Sequence, residues 1–425
     1  MRTLEAQDIR TMRADLLVEH LFRHQAARII AALTRVFGSH NLQLAEDVVQ
    51  DALIKALQVW PFQGVPENPA AWLTQVAKRR ALDLIRRESV WADKTAELER
   101  VLPLSTDEVQ SSQGTEMDDQ LALIFMTCHP AIPGEAQLAL TLKVAGGFSV
   151  PEIARALLAQ PEAIAKRIGR AKKLIREQGI TLELPATGQL AERMEAVLHV
   201  LYLLFNEGYS ATQGENLLRE DLCEEALRLG WLLVRHPRTK TPAAHALLAL
   251  FMLQAARLPA RTKAGGALAI LAEQDRQRWD QRLIAAGLRQ LAQAAAGTVV
   301  TRYHLQAEIA ALHLTETTDW AQVAALYEQL FQLEPSPIVA LNHAVAVAHW
   351  QGPAAGLQLV AGIETHHALR QYHLLPAVQA WLWRAAGERE KAARFYRAAL
   401  RCNCTEPERQ FLQQQLAQVL IKERK

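Results

Sequence analysis

Apolar residues recur every three to four positions along almost the whole chain, and no stretch alternates β-branched with polar residues. That period is the signature of helices with one buried stripe, whereas a half-buried strand needs a period of two. Ala and Leu, which lose little on entering a helix, are abundant. The expected fold class is therefore all-α. A length of 425 residues leaves room for two or three domains, each with its own core. The pattern lapses over Trp91–Asp119, an acidic stretch rich in Ser, Thr and Gln that reads as a linker, and again near Leu184–Gly188. The segments expected are 1–90, a linker at 91–119, then 120–184, 189–297 and 298–425.

Phe148–Arg176 reads as two helices joined by a tight turn. Ser149 suits an N-cap, Glu152 completes a capping-box spacing, and Pro161 suits the first turn of the second helix. On that helix Ile164, Ile168, Ala171 and Ile175 share one face. Lys166, Arg170 and Lys173 project from the opposite face, and Arg167 flanks them. Such a helix fits a major groove, with residues near its start (Glu162, Ala165) by the base edges and its cations on phosphates. An amphipathic hairpin with a solvated basic face is the plainer alternative. The formal net charge is only +2, so a nucleic-acid role rests on local patches.

Two upstream helices carry further patches. Over Leu44–Trp60, Leu44, Val48, Ala52 and Ile54 are expected inward, while Glu46, Asp47, Gln50 and Asp51 gather toward the start, where anions complement the helix dipole. Asn68 can cap the next helix and Pro69 can open it. Leu73, Val76, Ala77, Ala81 and Leu84 form its expected core stripe; Trp72, Gln75, Arg79 and Arg86 take the other face, with Lys78 and Arg87 beside them. Arg80 leans toward the apolar side and is expected to snorkel or pair internally rather than touch DNA. Rings and cations together on a non-core face suit single-stranded DNA; a Trp72 that merely caps the core is the rival reading.

The order LAEDVVQDALIKALQVWP, then NPAAWLTQVAKRRALDLIRR, then an acidic linker and a terminal helix-turn-helix resembles the extracytoplasmic-function group of bacterial sigma-70-type factors. The likeness runs from Leu16 to about Gln178. It implies that 1–90 is region 2 and 120–184 is region 4. Glu46, Asp47, Gln50 and Asp51 would then meet the clamp helices of the largest subunit of core RNA polymerase. The loop Pro61–Asn68, with Phe62, Gln63 and Asn68, and the helix bearing Trp72, Gln75, Lys78, Arg79, Asp83, Arg86 and Arg87 would hold the melted −10 element. Ser149, Glu162, Ala165, Lys166, Arg167, Arg170 and Lys173 would lie on the −35 element, beside the polymerase flap. The linker would run through the RNA-exit path. The implied partners are core polymerase and promoter DNA, and the protein itself supplies no covalent chemistry.

The second half resembles the long helical extension carried by a subgroup of these factors. Asp319, Gly352 and Gly387 mark turns of apparent helical hairpins spaced close to a tetratricopeptide period, with Pro335 and Pro407 after two of the helices. A protein or peptide partner would suit such repeats. Asn206, Glu207, Tyr209, Asp275, Arg276, Trp279 and Asp280 form two polar-aromatic motifs that either bind a regulatory ligand or tie helices together.

No cofactor or metal is expected. Cys128, Cys223, Cys402 and Cys404 are scattered and read as reduced thiols, and His199, His366, His367 and the Cys128–His129 pair read as packed or surface groups. Gly146–Gly147 follows no strand and reads as a turn, not a phosphate cradle. The apolar runs Ala196–Phe205 and Ala243–Ala256 are too short or interrupted to span a bilayer, and the first residues lack a signal-peptide core. A cytoplasmic protein without a membrane association is expected. A free-standing helix-turn-helix regulator and a tetratricopeptide-type scaffold are the alternatives.

Overall fold

The computed structural model describes residues 25–87, 106–157, 159–209, 218–262 and 268–421. Among them are eighteen helices and no strand, so the chain is all-α. It divides into two compact units, Met1–Leu203 and Leu204–Lys425.

In the first unit α1 (25–37) turns through a 3₁₀ segment, Ser39–Asn41, into α2 (Leu42–Gln63), and α3 (Pro69–Arg87) packs back on α2. Asn41 ties the first corner by donating from Nδ2 to the Phe37 carbonyl at 2.9 Å. α2 buries a wide arc: Leu42, Ala45, Val48, Val49, Ala52, Leu53, Ala56 and Trp60. Two adjacent faces are thereby used, and Ile54, expected inward, lies on the third and is 52% exposed. Pro61 and Gln63, expected in a loop, belong to the last turn of α2. Gly64 closes that turn at φ 84°, its amide donating to the Trp60 carbonyl at 2.9 Å. α3 opens as expected, with Asn68 Oδ1 accepting from the Ala71 amide at 3.0 Å and Pro69 next in line.

The linker expectation fails in its second half. Residues 106–119 belong to α4 (Thr106–Thr127), whose Leu121–Met126 run is fully buried. Acidic and small polar residues suit the opening of a helix as well as a linker, and here they lead into a core segment. The first half of the expected linker, with 1–24, lies outside the described residues. Beyond α4 come α5 (Gly134–Val144), α6 (Val150–Ala156), α7 (Pro161–Glu177) and α8 (Thr187–Tyr209). Ser149 and Glu152 form the capping box at the start of α6, and Ile164, Ile168, Ala171 and Ile175 form the buried stripe of α7.

In the second unit α9 (Glu220–Arg235), α10 (Pro242–Ala255), α11 (Gln281–Ala294) and α12 (Arg302–Leu312) pack around α10. Pro242–Ala260 has the length and hydropathy of a membrane span, yet 67% of it is buried inside the protein, as a core helix would be. Hairpins follow: α13 (Trp320–Leu333), α14 (Pro337–Gln351), α15 (Pro353–Ala361), α16 (Leu374–Ala385), α17 (Arg389–Ala399) and α18 (Glu406–Ile421). Asp319 caps α13 by accepting from the Gln322 amide at 3.0 Å, while Gly352 and Gly387 turn the chain between α14 and α15 and between α16 and α17. A Cβ on Gly356 would lie 2.6 Å from Ala348 Cβ, so α14 and α15 can approach only because that position has no side chain.

A ladder of rings stitches these hairpins. His313 tilts against Trp320 at 5.5 Å, Trp320 stacks on His349 at 4.0 Å, and His349 meets Trp381 at 4.8 Å. Burial, reinforced by Arg257 and His349, holds the His313 pKa down at about 4, against an ordinary 6.5. The folded protein therefore keeps this ring neutral while the unfolded chain begins to bind a proton near 6.5. Stability is expected to fall as pH drops from about 6.5 to 4, by up to about 3 kcal/mol from this group. Urea midpoints at pH 7.5 and 5.0 test this: His313→Gln should flatten the slope, and an unaltered slope would discard the assignment.

Candidate nucleic-acid and partner interface

At 100° per residue, Trp72, Gln75, Arg79, Asp83 and Arg86 fall within about 80° of one another on α3. Arg79, Asp83 and Arg86 are exposed, and Trp72 and Gln75 are half-buried. Trp72 sets its ring edge-on against buried Trp60 at 5.4 Å, so part of it belongs to the core and part to the surface. Lys78 departs from expectation: it is 5% exposed and is not part of this face. The buried ridge of α3 ends on Ile85 rather than Leu84, which turns the buried face toward position 78. The Arg87 side chain lies outside the described residues. Arg80 pairs at the surface with α2, donating from Nε to Asp51 Oδ2 at 2.8 Å. Beside α3, Phe62 is 82% exposed and Gln63 is exposed, while the Asn68 side chain serves as a cap.

Asp47, Gln50 and Asp51 share an exposed stripe of α2 that continues into Ile54 and Leu57. Its front is anionic and its rear apolar. Glu46 is not on it, which corrects the expectation for that residue: it is 2% exposed, and its carboxylate meets the ammonium of Lys172 on α7. Glu46 falls inside the wide buried arc of α2, where a carboxylate requires a cation or hydrogen-bond donors. Lys172 Nζ also donates to Gln43 Oε1 at 2.8 Å, and Gln43 Nε2 donates to Asp47 Oδ1 at 2.8 Å. Lys143 of α5 lies nearby. Burial chiefly pushes its pKa down, Lys172 acts in the same direction, and Glu46 opposes.

On α7 the face opposite the buried stripe carries Glu162, Ala165, Lys166, Arg170 and Lys173, all exposed. Lys173 has an i,i+4 partner in Glu177 at 3.6 Å. Arg167 is half-buried and bonded to Glu135 at 2.8 Å. The Ser149 hydroxyl is engaged at the capping box, where the Glu152 amide donates to it at 3.4 Å. Sequence reasoning missed exposed Arg176, which continues the α7 face, and it missed Lys172 and Arg35. Arg35 of α1 pairs with Asp119 of α4, a carboxylate 4% exposed. A helical-wheel reading could have found Arg176; no local signal announces the two long-range pairs.

In the extension several motif residues have partners within the fold. The Tyr209 hydroxyl accepts from Arg257 at 2.8 Å, and the Arg261 guanidinium lies 3.9 Å from the Tyr209 ring centre. Asp275 accepts from the Gln277 amide at 3.0 Å, and Arg276 lies over the ring of buried Trp279 at 4.9 Å. Asp280 caps α11, accepting from the amides of Arg282 at 2.8 Å and Leu283 at 3.0 Å. Asn206 and Glu207 are half-buried. Among the described residues no cluster of His, Cys, Asp or Glu is arranged to hold a metal. Burial raises the Cys128 thiol to about 11 and the Cys223 thiol to about 12.

Residues 21–90, which contain α1, α2 and α3, match Sigma-70 region 2. That match supports a sigma-70 family factor. An uncharacterized protein of Rhizobium meliloti (strain 1021) is 40% identical over 358 residues, covering 80% of this chain and 83% of the relative, and the two belong to one family. Residues 193–295, which include both polar-aromatic motifs, match a family of unknown function (DUF6596). No solved structure matches this chain significantly.

The Arg35–Asp119 pair gives a direct test of packing in the first unit. Removing one partner of a buried ion pair typically costs about 3–5 kcal/mol, and one-third exposure of Arg35 moderates this to about 2–3. Urea unfolding of Arg35→Ala should show that loss, whereas an Arg35→Met/Asp119→Leu double substitution should recover much of it. A wild-type midpoint for Arg35→Ala would refute the role.

Proposed function

We propose that this sigma factor belongs to the extracytoplasmic-function group, works in the cytoplasm, and directs core RNA polymerase to promoters, melting the −10 element without covalent chemistry of its own. The observation that carries the reading is the α3 face, where Trp72, Gln75, Arg79 and Arg86 lie together inside the segment matching Sigma-70 region 2. Its cations suit the displaced strand's phosphates, and the exposed part of Trp72, with Phe62, offers ring surface for unstacked bases. Unpairing of the duplex is offset by stacking and by capture of a flipped base. The acid-to-apolar stripe of α2, Asp47 through Leu57, suits a basic helical surface such as the polymerase clamp. The exposed side of α7 suits the −35 major groove, with Lys166, Arg170 and Lys173 on phosphates and Glu162 and Ala165 near bases.

The test is transcription from genomic DNA of the encoding bacterium by its core polymerase, with and without the chain, mapping transcript 5′ ends. New ends preceded by two shared sequence blocks are expected, and a tenfold or greater loss for Arg79→Ala/Arg86→Ala. Lys166→Ala/Arg170→Ala should lower the salt slope of promoter binding by about 2, one unit per phosphate contact. An unchanged set of 5′ ends would sink the reading.

In the same reading the extension, through its tetratricopeptide-like hairpins, regulates the sigma module in cis. Arg193 of α8 donates to the Phe125 carbonyl, so a truncation belongs after Tyr209, beyond that tie. Truncated and full-length chains should differ in polymerase binding or transcript yield; equal values in both would end the idea.

A further inference from the structure

We propose that Arg257 and Arg261, in the helical extension, form a binding site for a phosphate dianion, free or carried as a small ester. The site is independent of the polymerase reading. Both residues follow α10 and both are anchored on Tyr209 of α8. Arg257 Nη2 donates to the phenol oxygen at 2.8 Å; Arg261 lies 3.9 Å from the ring centre, and its Nη1 donates to the Tyr209 carbonyl. Two guanidiniums are thus brought to one side chain, and neither acceptor carries a charge.

Other cations drawn into this fold meet carboxylates: Lys172 meets Glu46, Arg228 meets Glu225, and Arg302 meets Glu334. Arg257 is 9% exposed, yet among the described residues neither it nor Arg261 pairs with a carboxylate. A buried guanidinium bonded to a neutral phenol lacks a counter-charge, and that deficit is what makes a buried ion destabilising. Its Nε is buried with no hydrogen-bond partner, a donor left over once Tyr209 is satisfied. Trp279 Nε1 is likewise buried and unbonded, and the Asp280 amide, donating to the Ala256 carbonyl at 2.9 Å, keeps the chain at Trp279 alongside the chain at Arg257. The positive field reaches His313, whose protonation Arg257 opposes. A single guanidinium fork saturates one carboxylate, whereas a phosphate, with about two negative charges near neutral pH, has oxygens and charge for both. Half-buried Arg261 leaves the approach open, and buried Arg257 supplies a contact shielded from water.

The test is calorimetric titration of the full chain with inorganic phosphate at fixed ionic strength, with succinate as a dianion that lacks the tetrahedral group. Saturable binding is expected, weakened about tenfold or more by Arg257→Gln and by Arg261→Gln, and less by Arg261→Lys. Lys166→Ala/Arg170→Ala, which removes cations of α7, should bind as the parent does. Phosphate should raise the melting temperature of the parent and not that of Arg257→Gln, which in phosphate-free buffer should melt no earlier than the parent because it removes an uncompensated charge. The site is overturned if the parent does not bind, if both glutamine variants bind as tightly as the parent, or if succinate binds as well as phosphate. Early melting of Arg257→Gln matched by Glu215→Gln, a position outside the described residues, would place the counter-charge inside the chain and overturn it as well. Should Arg257→Gln fail to fold, Arg261→Gln and the succinate comparison decide.

Discussion

A carboxylate taken out of water must bring a cation or donors with it, and the first unit buries two in places that join distant stretches of chain. Asp119 draws Arg35, and Glu46 draws Lys172. Each pair links a helix before residue 88 to one after residue 105, so the arrangement of α1 and α2 against α4 and α7 is set by charge as well as by apolar packing. Apolar contact is tolerant of small slips; an ammonium against a buried carboxylate is not. Pairs of this kind add little net stability over an apolar replacement, but breaking one strands a buried charge.

Much of the local structure was legible. The α7 stripe, the Ser149–Glu152 capping box and the Asn68 cap all follow from spacing within a few residues, which is the range over which helical periodicity and capping act. Errors arose where partners lie far apart in sequence. Glu46 and Asp47 look alike in the sequence, and only the fold shows that one lies within the buried arc of α2, paired with Lys172, while the other is exposed. Lys78 went astray by a smaller margin, since choosing Leu84 over Ile85 as the last core residue of α3 turns the wheel by one position. The acidic stretch at 106–119 failed for a different reason: composition does not separate a linker from the opening of a helix whose core run comes later.

The extension shows the same limit. Tyr209, Arg276, Trp279 and Asp280 could serve a ligand or tie helices together, with structure the favoured reading, and periodicity alone does not separate the two. In the fold Tyr209 holds Arg257, Arg276 covers Trp279, and Asp280 caps α11. The ring ladder from His313 to Trp381 was invisible in advance because its members come from separate hairpins, well beyond the reach of any local pattern.

Ile54, Leu57 and Phe62 carry a cost of a different kind. All three stand in water along one helix and its last turn, and exposed apolar groups grouped in this way are where protein chains meet other surfaces. A cell that makes this protein in excess of its partner leaves those surfaces to one another, to chaperones and to proteases. If polymerase is what covers them, as proposed for the α2 stripe, the amount of usable protein is limited by how much polymerase is on hand.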